Sequence, residues 1–500
     1  MMTCRPGTDH RLTWRTVIRY ALFPVCVIWH RERSRSRCPS GSEGRGDPPR
    51  QRGWPNAREP SLAGPPRHEQ KGRSDHAGRW LLFLLLLWPH STWAQSVPSR
   101  ILITGANVLD ADGQRLLEGR HVLIEGDRIK KVAPATYIED SEGVQTIDAN
   151  NLTLLPGLIE LHAHLLLHPY NEAPWNDQVL RESLEFRVVR AVAAAKATVE
   201  SGFTTLRDLG TEGAAFADVG LRDATAKNIV PGPRIFASTK AIVATGCYGP
   251  SGFDPRWDVP KGAQVADGVD GVRRAVREQI AAGADWIKVY ADYSRRDGDP
   301  PTATFSQEEL NALVAEARNA GLSVAAHAYT DEAIRRSVFA GVATIEHGSR
   351  VSADVLTLMR ERGVVLCPTL AAHEAMAKYD GWTPDLPDPP RIKDAKEMFK
   401  RALAAGVTIG CGSDVGVFPH GQSARELELM VEYGMRPVDA IRAATLVAAT
   451  VLRRGDTLGK IADGYLADLI AVRENPLEDV TTLRNVVLVI KDGRVLLDRR

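Results

Sequence analysis

Histidine side chains stand where several predicted strands end. His162 and His164 close the apolar run "LLPGLIELHAHL". Residues two apart on a strand point to the same face, so both can bind one metal ion. His327 in "AAHAY", His347 in "IEHGS" and Asp414 in "CGSDVG" lie at three further strand ends. A lone histidine is most often a hydrogen-bonded core or surface residue, but four histidines and an aspartate at strand ends together predict a metal site.

Lys288 is the least expected residue of this set. It lies in "WIKVYAD" between Ile287 and Val289, and an inward-pointing ammonium beside a metal ion is opposed by both burial and like charge. A neutral amine that adds carbon dioxide becomes an anionic carbamate, whose two oxygens can bridge metal ions about 3.5 to 4 Å apart. The alternative is an ordinary lysine that pairs with Asp285 or Asp292.

The elements that must position these residues alternate between strand and helix. Eight strand-like runs lead from "LLPGLIELHAHL" to "TIGCGSDV", and helical segments such as "SQEELNALVAEARNAG" separate them. Eight such repeats over about 250 to 300 residues are typical of an α/β TIM barrel, in which active-site residues lie at the carboxyl ends of the strands. We assign this barrel to residues 156–455. A doubly wound sheet is the rival, but no glycine-rich phosphate loop follows any strand.

Short strands with alternating polarity flank the barrel at both ends. Residues 99–155 contain a predicted hairpin turn at Gly126 and Asp127, and residues 456–500 contain one at Asp492 and Gly493. Alternation of apolar and polar positions suits a half-exposed antiparallel sheet. We expect the two ends to pair into one small β-sandwich domain.

The first ninety-four residues have a different composition. Residues 1–78 carry fourteen arginines and one lysine, which is typical of a disordered segment, or of a misassigned extension. Residues 79–94 contain the apolar run Trp80–Trp88 followed by small residues at cleavage spacing, as in a secretory signal. The run is too short to span a bilayer of about 30 Å, which disfavours a membrane anchor. A rival signal, "VIRYALFPVCVIW", lacks a comparable cleavage site. We expect a secreted or periplasmic protein that begins near Gln95.

Composition limits the partners. The formal net charge is +1 and no basic stripe is interleaved with aromatic residues, so nucleic acid is not an expected partner. Cys247, Cys367 and Cys411 are far apart in the sequence and indicate neither a disulfide framework nor a zinc ribbon. We expect no stable membrane anchor after signal cleavage.

The ordered set of strand-end residues resembles the amidohydrolase superfamily, over about residues 99–500. The segments "HPYNEAPWNDQVL", "TGCYGPSGF" and "GSDVGVFPHG" are similar to its imidazolonepropionase-like branch, which includes Xaa-Pro dipeptidases (prolidases), Xaa-Arg/Lys carboxypeptidases and ochratoxin amidase. The resemblance implies two zinc or other divalent ions per chain: one bound by His162, His164 and Asp414, the other by His327 and His347, with Lys288, carboxylated by carbon dioxide, between them.

The implied activity is hydrolysis of an amide or peptide bond in a small substrate with a free carboxylate, such as an Xaa-Pro dipeptide or an N-acyl amino acid. A hydroxide between two zinc ions is a nucleophile at neutral pH, because coordination lowers the pKa of water from about 15.7 to about 7. Asp414 and Lys288 are the two catalytic candidates. Asp414 would accept the proton of the hydroxide and pass it to the leaving nitrogen.

Substrate contacts are predicted on the loops that follow the strands. The candidates are His168, Tyr170, Tyr248 and His373. Either Tyr248 or His168 could complete the oxyanion site, although each could instead be a structural loop residue. We expect these four side chains to bind the substrate carboxylate without a dedicated arginine.

Two other functions remain open at the level of the sequence. A cyclic-amide hydrolase of the imidazolonepropionase kind would use the same centre, but an export signal argues against an intracellular catabolic step. A metal-free scaffold or binding protein could keep the fold, but retention of all six ligand candidates disfavours it.

Overall fold

A computed structural model describes residues 100–136, 143–254, 256–294, 296 and 298–500. The interpretations of residues 1–78 and 79–94, including cleavage near Gln95, lie outside the described residues. Within the described ranges, none of the helices has the length and apolar character that crossing a bilayer requires.

The described strands are, in chain order, β1 Arg100–Leu109, β2 Leu116–Glu125, β3 Arg128–Pro134, β4 Gln145–Asp148, β5 Thr153–Pro156, β6 Leu158–Ala163, β7 Phe203–Asp208, β8 Arg234–Ala237, β9 Ile242–Val243, β10 Gln264–Val265, β11 Trp286–Tyr290, β12 Asp292–Tyr293, β13 Thr302–Ala303, β14 Ser323–Ala328, β15 Thr344–His347, β16 Val365–Cys367, β17 Leu469–Val472, β18 Leu488–Lys491 and β19 Arg494–Asp498.

The described helices are α1 Trp175–Arg181, α2 Leu184–Glu200, α3 Ala217–Ala226, α4 Gly268–Ala281, α5 Gln307–Asn319, α6 Asp331–Ala340, α7 Ala353–Arg362, α8 Leu370–Tyr379, α9 Pro390–Ala405, α10 Ala424–Glu432, α11 Pro437–Arg442 and α12 Ala448–Val451. A π-helical turn, Ala443–Val447, joins α11 to α12, and a 3-10 helix spans Val480–Arg484.

One eight-stranded sheet unites the two ends of the described chain. Its order is β19-β18-β17-β5-β1-β2-β3, with β4 also beside β1. The ends meet where β5 and β17 pair in antiparallel fashion, with Leu154 opposite Ala471. Both predicted hairpins are confirmed, because β2 pairs with β3 and β18 with β19 in antiparallel fashion.

The central part of the chain consists of parallel strands that alternate with helices. One group has the order β6-β7-β8 and the other β10-β9-β11-β14-β15-β16. Every residue of β6 and of β11 is buried, as expected for parallel strands covered on both faces. The α/β class predicted from the sequence is therefore confirmed.

Isolated hydrogen bonds link the two parallel groups at two places. Residues 409–415 form parallel bridges to β16 on one side and to β6 on the other. The amide of Asp285, just before β11, donates to the carbonyl of Ala237 at the end of β8 over 2.7 Å. These contacts bring the carboxyl ends of the strands to one rim, where the candidate ligands lie.

Local sequence signals determine the helices beside β14. The Ser306 side chain accepts from the amide of Glu309 while the Glu309 side chain accepts from the amide of Ser306, a capping box that begins α5. Thr330 caps α6, which ends at Gly341 in the left-handed conformation, with φ of 92°. These caps define the two ends of the unit that carries His327.

Gly157 lies between the sheet and β6, where a side chain has no room. A Cβ atom there would meet Oγ1 of the buried Thr204 at 2.0 Å. We predict that Gly157→Ala lowers the free energy of unfolding by about 1 to 3 kcal/mol, because a well-packed site resists added volume. Thermal or urea unfolding measures the change.

Gly220 in α3 is the matched control, since a Cβ atom there meets nothing within 4 Å. Gly220→Ala should raise stability by about 0.5 to 1 kcal/mol through helix propensity. Equal stabilities of the two variants would contradict the close packing of Gly157.

Candidate metal centre and active site

The six side chains predicted as ligands lie together at the carboxyl rim of the parallel strands. Five of them line one cavity of about 320 Å³: His162, His164, His327, His347 and Asp414. Lys288, the sixth, is fully buried on β11, and its charge acts on three of the histidines. The structure thus brings all six together from distant parts of the sequence.

One subset already has the geometry of a metal site. Oδ1 of Asp414 lies 3.5 Å from Nε2 of His162 and 3.2 Å from Nε2 of His164. One ligand atom from each residue falls within 4.8 Å of the other two. A small cation could therefore contact all three, and two neutral imidazoles with a carboxylate are a donor set that suits zinc.

The remaining histidines form a second group beside the first. The ring centroids of His327 and His347 lie 4.6 Å apart, and the His347 ring lies 5.2 Å from that of His162. Burial lowers the pKa of His327, which favours the neutral imidazole that a metal ion needs.

His162 is oriented by a buried ion pair. Its Nδ1 contacts Oε2 of Glu346 at 2.8 Å, and Nη2 of Arg207 lies 3.0 Å from the other oxygen. Burial alone would raise the pKa of Glu346, but the Arg207 guanidinium holds it below its ordinary value. The ionised Glu346 accepts from Nδ1–H, so Nε2 is left for the cavity. Arg207 therefore belongs to a buried structural ion pair.

Two other histidines are held in the same way by uncharged acceptors. Nδ1 of His164 lies 2.9 Å from the carbonyl oxygen of Gly210. Nδ1 of His347 lies 2.7 Å from Oγ1 of Thr369, whose hydroxyl donates to the carbonyl of Pro368. Each contact directs the ring hydrogen outward and leaves Nε2 as a free acceptor toward the cavity.

Lys288 has none of the ordinary partners considered for it. Its Nζ is buried without a hydrogen bond to any described residue. Asp292 instead accepts from the amide of Thr330 at 2.7 Å, and Asp285 pairs with Arg222 at 2.8 Å. Burial lowers the pKa of Lys288, which favours the neutral amine that adds carbon dioxide. A buried amine without a hydrogen bond, beside three of the candidate histidines, fits a metal centre better than an ordinary ion pair.

Glu160 is a positioning residue that sequence reasoning missed. Its side chain accepts from the amide of His162 and from both the amide and the hydroxyl of Ser413, at 2.6 to 2.9 Å. Burial raises the pKa of Glu160 to about 7. Glu160 therefore joins β6 to Ser413, the residue before Asp414. This contact sets the distance between the ligands on β6 and Asp414.

Backbone strain is concentrated at this rim. His347 has φ of 73° and Asp414 has φ of 62°, in the left-handed region that side chains rarely occupy. Such conformations persist only where the surrounding structure imposes them, and they cluster at functional sites.

Three of the four predicted substrate contacts line the cavity. They are Tyr170, Tyr248 and His373, and the wall also holds Tyr290, Tyr293 and Tyr329. The Tyr248 hydroxyl donates to Oε2 of Glu212. Its one hydrogen is therefore directed away from an oxyanion, which argues against the oxyanion role considered for it.

His168 is the predicted contact that the structure does not bring to the cavity wall. Its Nε2 lies 2.8 Å from Oε1 of Glu182 and its Nδ1 lies 3.3 Å from Glu172. Both ring nitrogens face acidic side chains of the loop and of the segment after α1. This arrangement favours a structural role for His168 in the loop over contact with the substrate.

Two charged residues of the cavity wall were not predicted. Glu212 follows β7 in "DLGTEG", and an acid enclosed by glycines after a strand was the signal available. Arg391 stands at the start of α9, and its guanidinium has no hydrogen bond or ion pair with a described residue. An arginine therefore lines the same cavity as the predicted substrate contacts. Nothing local in the sequence indicates that α9 reaches this rim.

Parallel strands with buried histidines, a lysine and an aspartate at their carboxyl ends define a metal-binding hydrolase centre. The chain belongs to the amidohydrolase family, whose model matches residues 153–496. Members of this family generally depend on two metal ions. The protein is therefore a hydrolase that acts on amide or peptide carbon–nitrogen bonds.

Known proteins similar to this chain support the assignment. Ochratoxinase from Aspergillus niger is 32% identical over 395 residues, which cover 72% of this chain and 78% of that protein. The crystal structure of a Xaa-Pro dipeptidase with bound methionine in the active site is 34% identical, with a TM-score of 0.72 over 80% of this chain and 100% of that one. A prolidase complexed with N-methylphosphonate-L-proline is 34% identical, with a TM-score of 0.69 over the same shares.

We predict that Glu346→Gln weakens metal binding by about 10- to 100-fold, the usual effect of losing a partner that orients a histidine ligand. The neutral amide would neither balance Arg207 nor hold the His162 ring as firmly. Competition with a chromophoric chelator measures the affinity.

Glu316→Gln on α5 is the matched control, because Glu316 forms only a surface ion pair with Arg277. Circular dichroism establishes that both variants are folded. Metal affinity of Glu346→Gln equal to that of the control would contradict the role of the ion pair.

Proposed function

We propose that the protein is a binuclear metal-dependent hydrolase that cleaves the amide or peptide bond beside a free carboxylate in a small substrate. One observation carries this proposal: six candidate ligands from five strand ends converge at one cavity. In His162, His164 and His347, Nδ1 contacts an acceptor of the surrounding protein, so Nε2 is directed toward that cavity. A cavity of about 320 Å³ suits a ligand of dipeptide size. The similarity to a Xaa-Pro dipeptidase and to ochratoxinase adds support.

The proposal includes the architecture that positions the site. We propose that eight strands close into a barrel and that the terminal sheet folds as a sandwich. The eight are β6, β7, β8, β11, β14, β15, β16 and segment 409–415. The hydrogen bonds of segment 409–415 to both β6 and β16 support closure.

His162, His164 and Asp414 would hold one divalent ion, and His327 and His347 the other, with carboxylated Lys288 between them. Zinc is proposed because imidazole and carboxylate donors suit it. When bound, two such metal ions polarise a carbonyl and make a coordinated water more acidic.

Asp414 is proposed to move the proton. Although burial acts to raise it, the pKa of Asp414 lies below its ordinary value because His162 and His164 stand beside it. An ionised carboxylate can accept a proton from the attacking water and deliver it to the amide nitrogen as the carbon–nitrogen bond breaks.

Arg391 is proposed to bind the substrate carboxylate together with His373. Burial and the charge of Arg391 lower the pKa of His373, and the same charge acts on Tyr329, so the guanidinium acts on this side of the cavity. The guanidinium has no partner among the described residues, and its planar fork matches the geometry of a carboxylate.

Export and assembly are also part of the proposal. The signal-like sequence at residues 79–94 supports a secreted or periplasmic enzyme. A homo-oligomer is proposed by resemblance to the family.

We predict that Lys288→Ala abolishes activity and lowers the metal content, because the bridging carbamate is lost. Short carboxylic acids should restore part of the activity by occupying the gap. Elemental analysis and amide hydrolysis measure the two effects, with Lys400→Ala, an exposed lysine of α9, as control. Full metal content together with an unchanged rate would contradict the binuclear site.

We predict that amidating the substrate carboxylate lowers kcat/KM by about thirty- to a thousandfold, because charged hydrogen bonds are lost. Xaa-Pro or N-acyl-Phe compounds are compared as free acid and as amide. Arg391→Gln should reduce the acid preference by at least about tenfold, whereas Lys393→Gln, two residues along α9, should not. Equal efficiencies for acid and amide would refute carboxylate recognition and favour a cyclic-amide substrate.

A further inference from the structure

His327 is held in the metal centre differently from the other three candidate histidines. In His162, His164 and His347, Nδ1 lies 2.7 to 2.9 Å from an acceptor of the surrounding protein. The His327 ring makes no hydrogen bond with a described residue, and Oδ1 of Asp292 is 3.9 Å from its buried Nε2. An interaction other than a hydrogen bond must therefore fix the plane of this ring.

Aromatic side chains supply that interaction. The ring of Tyr290 stacks on the His327 ring, with centroids 4.4 Å apart and planes inclined by 24°. The rings of Tyr329 and His347 approach at steep angles, each with its centroid 4.6 Å from that of His327. Stacked and edge-on contacts at about these distances are attractive, so neighbouring rings enclose His327 where hydrogen bonds hold its counterparts.

The strand register places Tyr290 against His327. The strands β11 and β14 pair in parallel, with Tyr290 opposite His327. Cross-strand neighbours project their side chains from the same face of a sheet, and Lys288, two residues before Tyr290, shares that face. The stack therefore follows from backbone pairing, which determines where both side chains begin.

Tyr290 is itself held in place by a further ring. Tyr248 stacks on it, with centroids 4.3 Å apart and planes inclined by 19°. The Tyr248 hydroxyl donates to Glu212, which anchors that ring in turn. Tyr290 is only 6% exposed, so its ring has little freedom to turn away. A rigid support of this kind restricts the His327 ring before any ion binds.

We propose that Tyr290 is a positioning residue, which by stacking on His327 sets the affinity of the ion that His327 and His347 would bind. This inference rests on the proposed binuclear centre. Without the stack, the His327 ring could rotate about its side-chain bonds, and binding an ion would then have to restrict that rotation. The other ion would be unaffected, because the Nδ1 contacts of His162 and His164 do not involve Tyr290.

Two other roles of Tyr290 predict different results, since its ring also lines the cavity. A contact with the substrate would change kcat or KM and leave the metal affinity alone. A general packing role would lower the stability of the protein and weaken both ions alike. Stacking on His327 predicts weaker binding of one ion only.

The test is a zinc titration of the full chain after its metal has been removed, in bicarbonate buffer and with a chromophoric chelator as competitor. The wild type should bind two ions. Tyr290→Leu should weaken the binding of one of them by about three- to tenfold, the scale of an aromatic pair. Tyr290→Phe keeps the ring and should bind both ions as the wild type does.

A second substitution identifies the ion that is weakened. His347→Asn removes a ligand of the ion beside His327 and should leave a single ion, at the site that contains Asp414. Adding Tyr290→Leu to His347→Asn should not change the affinity for this remaining ion. A further loss of affinity there would show that Tyr290 supports both ions and would overturn the proposal.

Tyr170→Leu is the matched control, because Tyr170 lines the same cavity and makes no ring contact with a described residue. This variant should bind both ions with wild-type affinity. If Tyr290→Leu does not fold, Tyr290→Met, which places a flexible chain where the ring was, should give the same selective loss. Circular dichroism and thermal unfolding establish that each variant is folded.

The failures of the two proposals are distinguishable. A wild type that binds two ions but hydrolyses no amide refutes the proposed function, while the titration still decides the role of Tyr290. Unchanged affinities in Tyr290→Leu, equal weakening of both ions, or a loss in Tyr290→Phe as large as in Tyr290→Leu refutes the stacking role and leaves the hydrolase intact. A wild type that binds only one ion refutes the binuclear centre and the stacking role together.

Discussion

The ion pair between Arg207 and Glu346 is the interaction on which the metal centre depends. Both side chains are fully buried, and a buried charge is tolerated only when a partner and further hydrogen bonds satisfy it. Nε of Arg207 donates to the carbonyl of Leu161, and Glu346 receives Nδ1–H of His162. One ion pair therefore joins β6, β7 and β15 and orients the first ligand.

At this rim, buried polar groups that are hydrogen-bonded within the protein hold the structure together, whereas buried polar groups without a partner are available to bind a ligand. Glu160 and Asp292 are deeply buried and accept from neighbouring amides and hydroxyls, so they hold strands and loops in place. Nζ of Lys288 and Nε2 of His327 are buried without such a partner among the described residues. For these two atoms a bound metal ion or carbon dioxide would supply the missing interaction.

The charged residues of the cavity wall suggest how one fold can serve different substrates within a family. The proposed metal ligands lie at strand ends, where buried hydrogen bonds constrain them. Arg391 stands at the start of a helix and Glu212 on a loop, where replacement disturbs the strands less. On this view, the side chains around the metal centre, and not the ligands themselves, would select the substrate.

The sequence by itself determined the α/β class, the hairpins of the terminal sheet and the set of six strand-end residues. It could do so because strand ends, turn glycines and apolar periodicity are local signals, and because His162 and His164 share a face through their spacing alone. Only the tertiary structure decided which side chains complete the site. Glu212 and Arg391 reach the cavity through a strained loop and a distant helix, and His168 is turned toward Glu182. Those positions depend on packing between segments far apart in the chain, which no local pattern encodes.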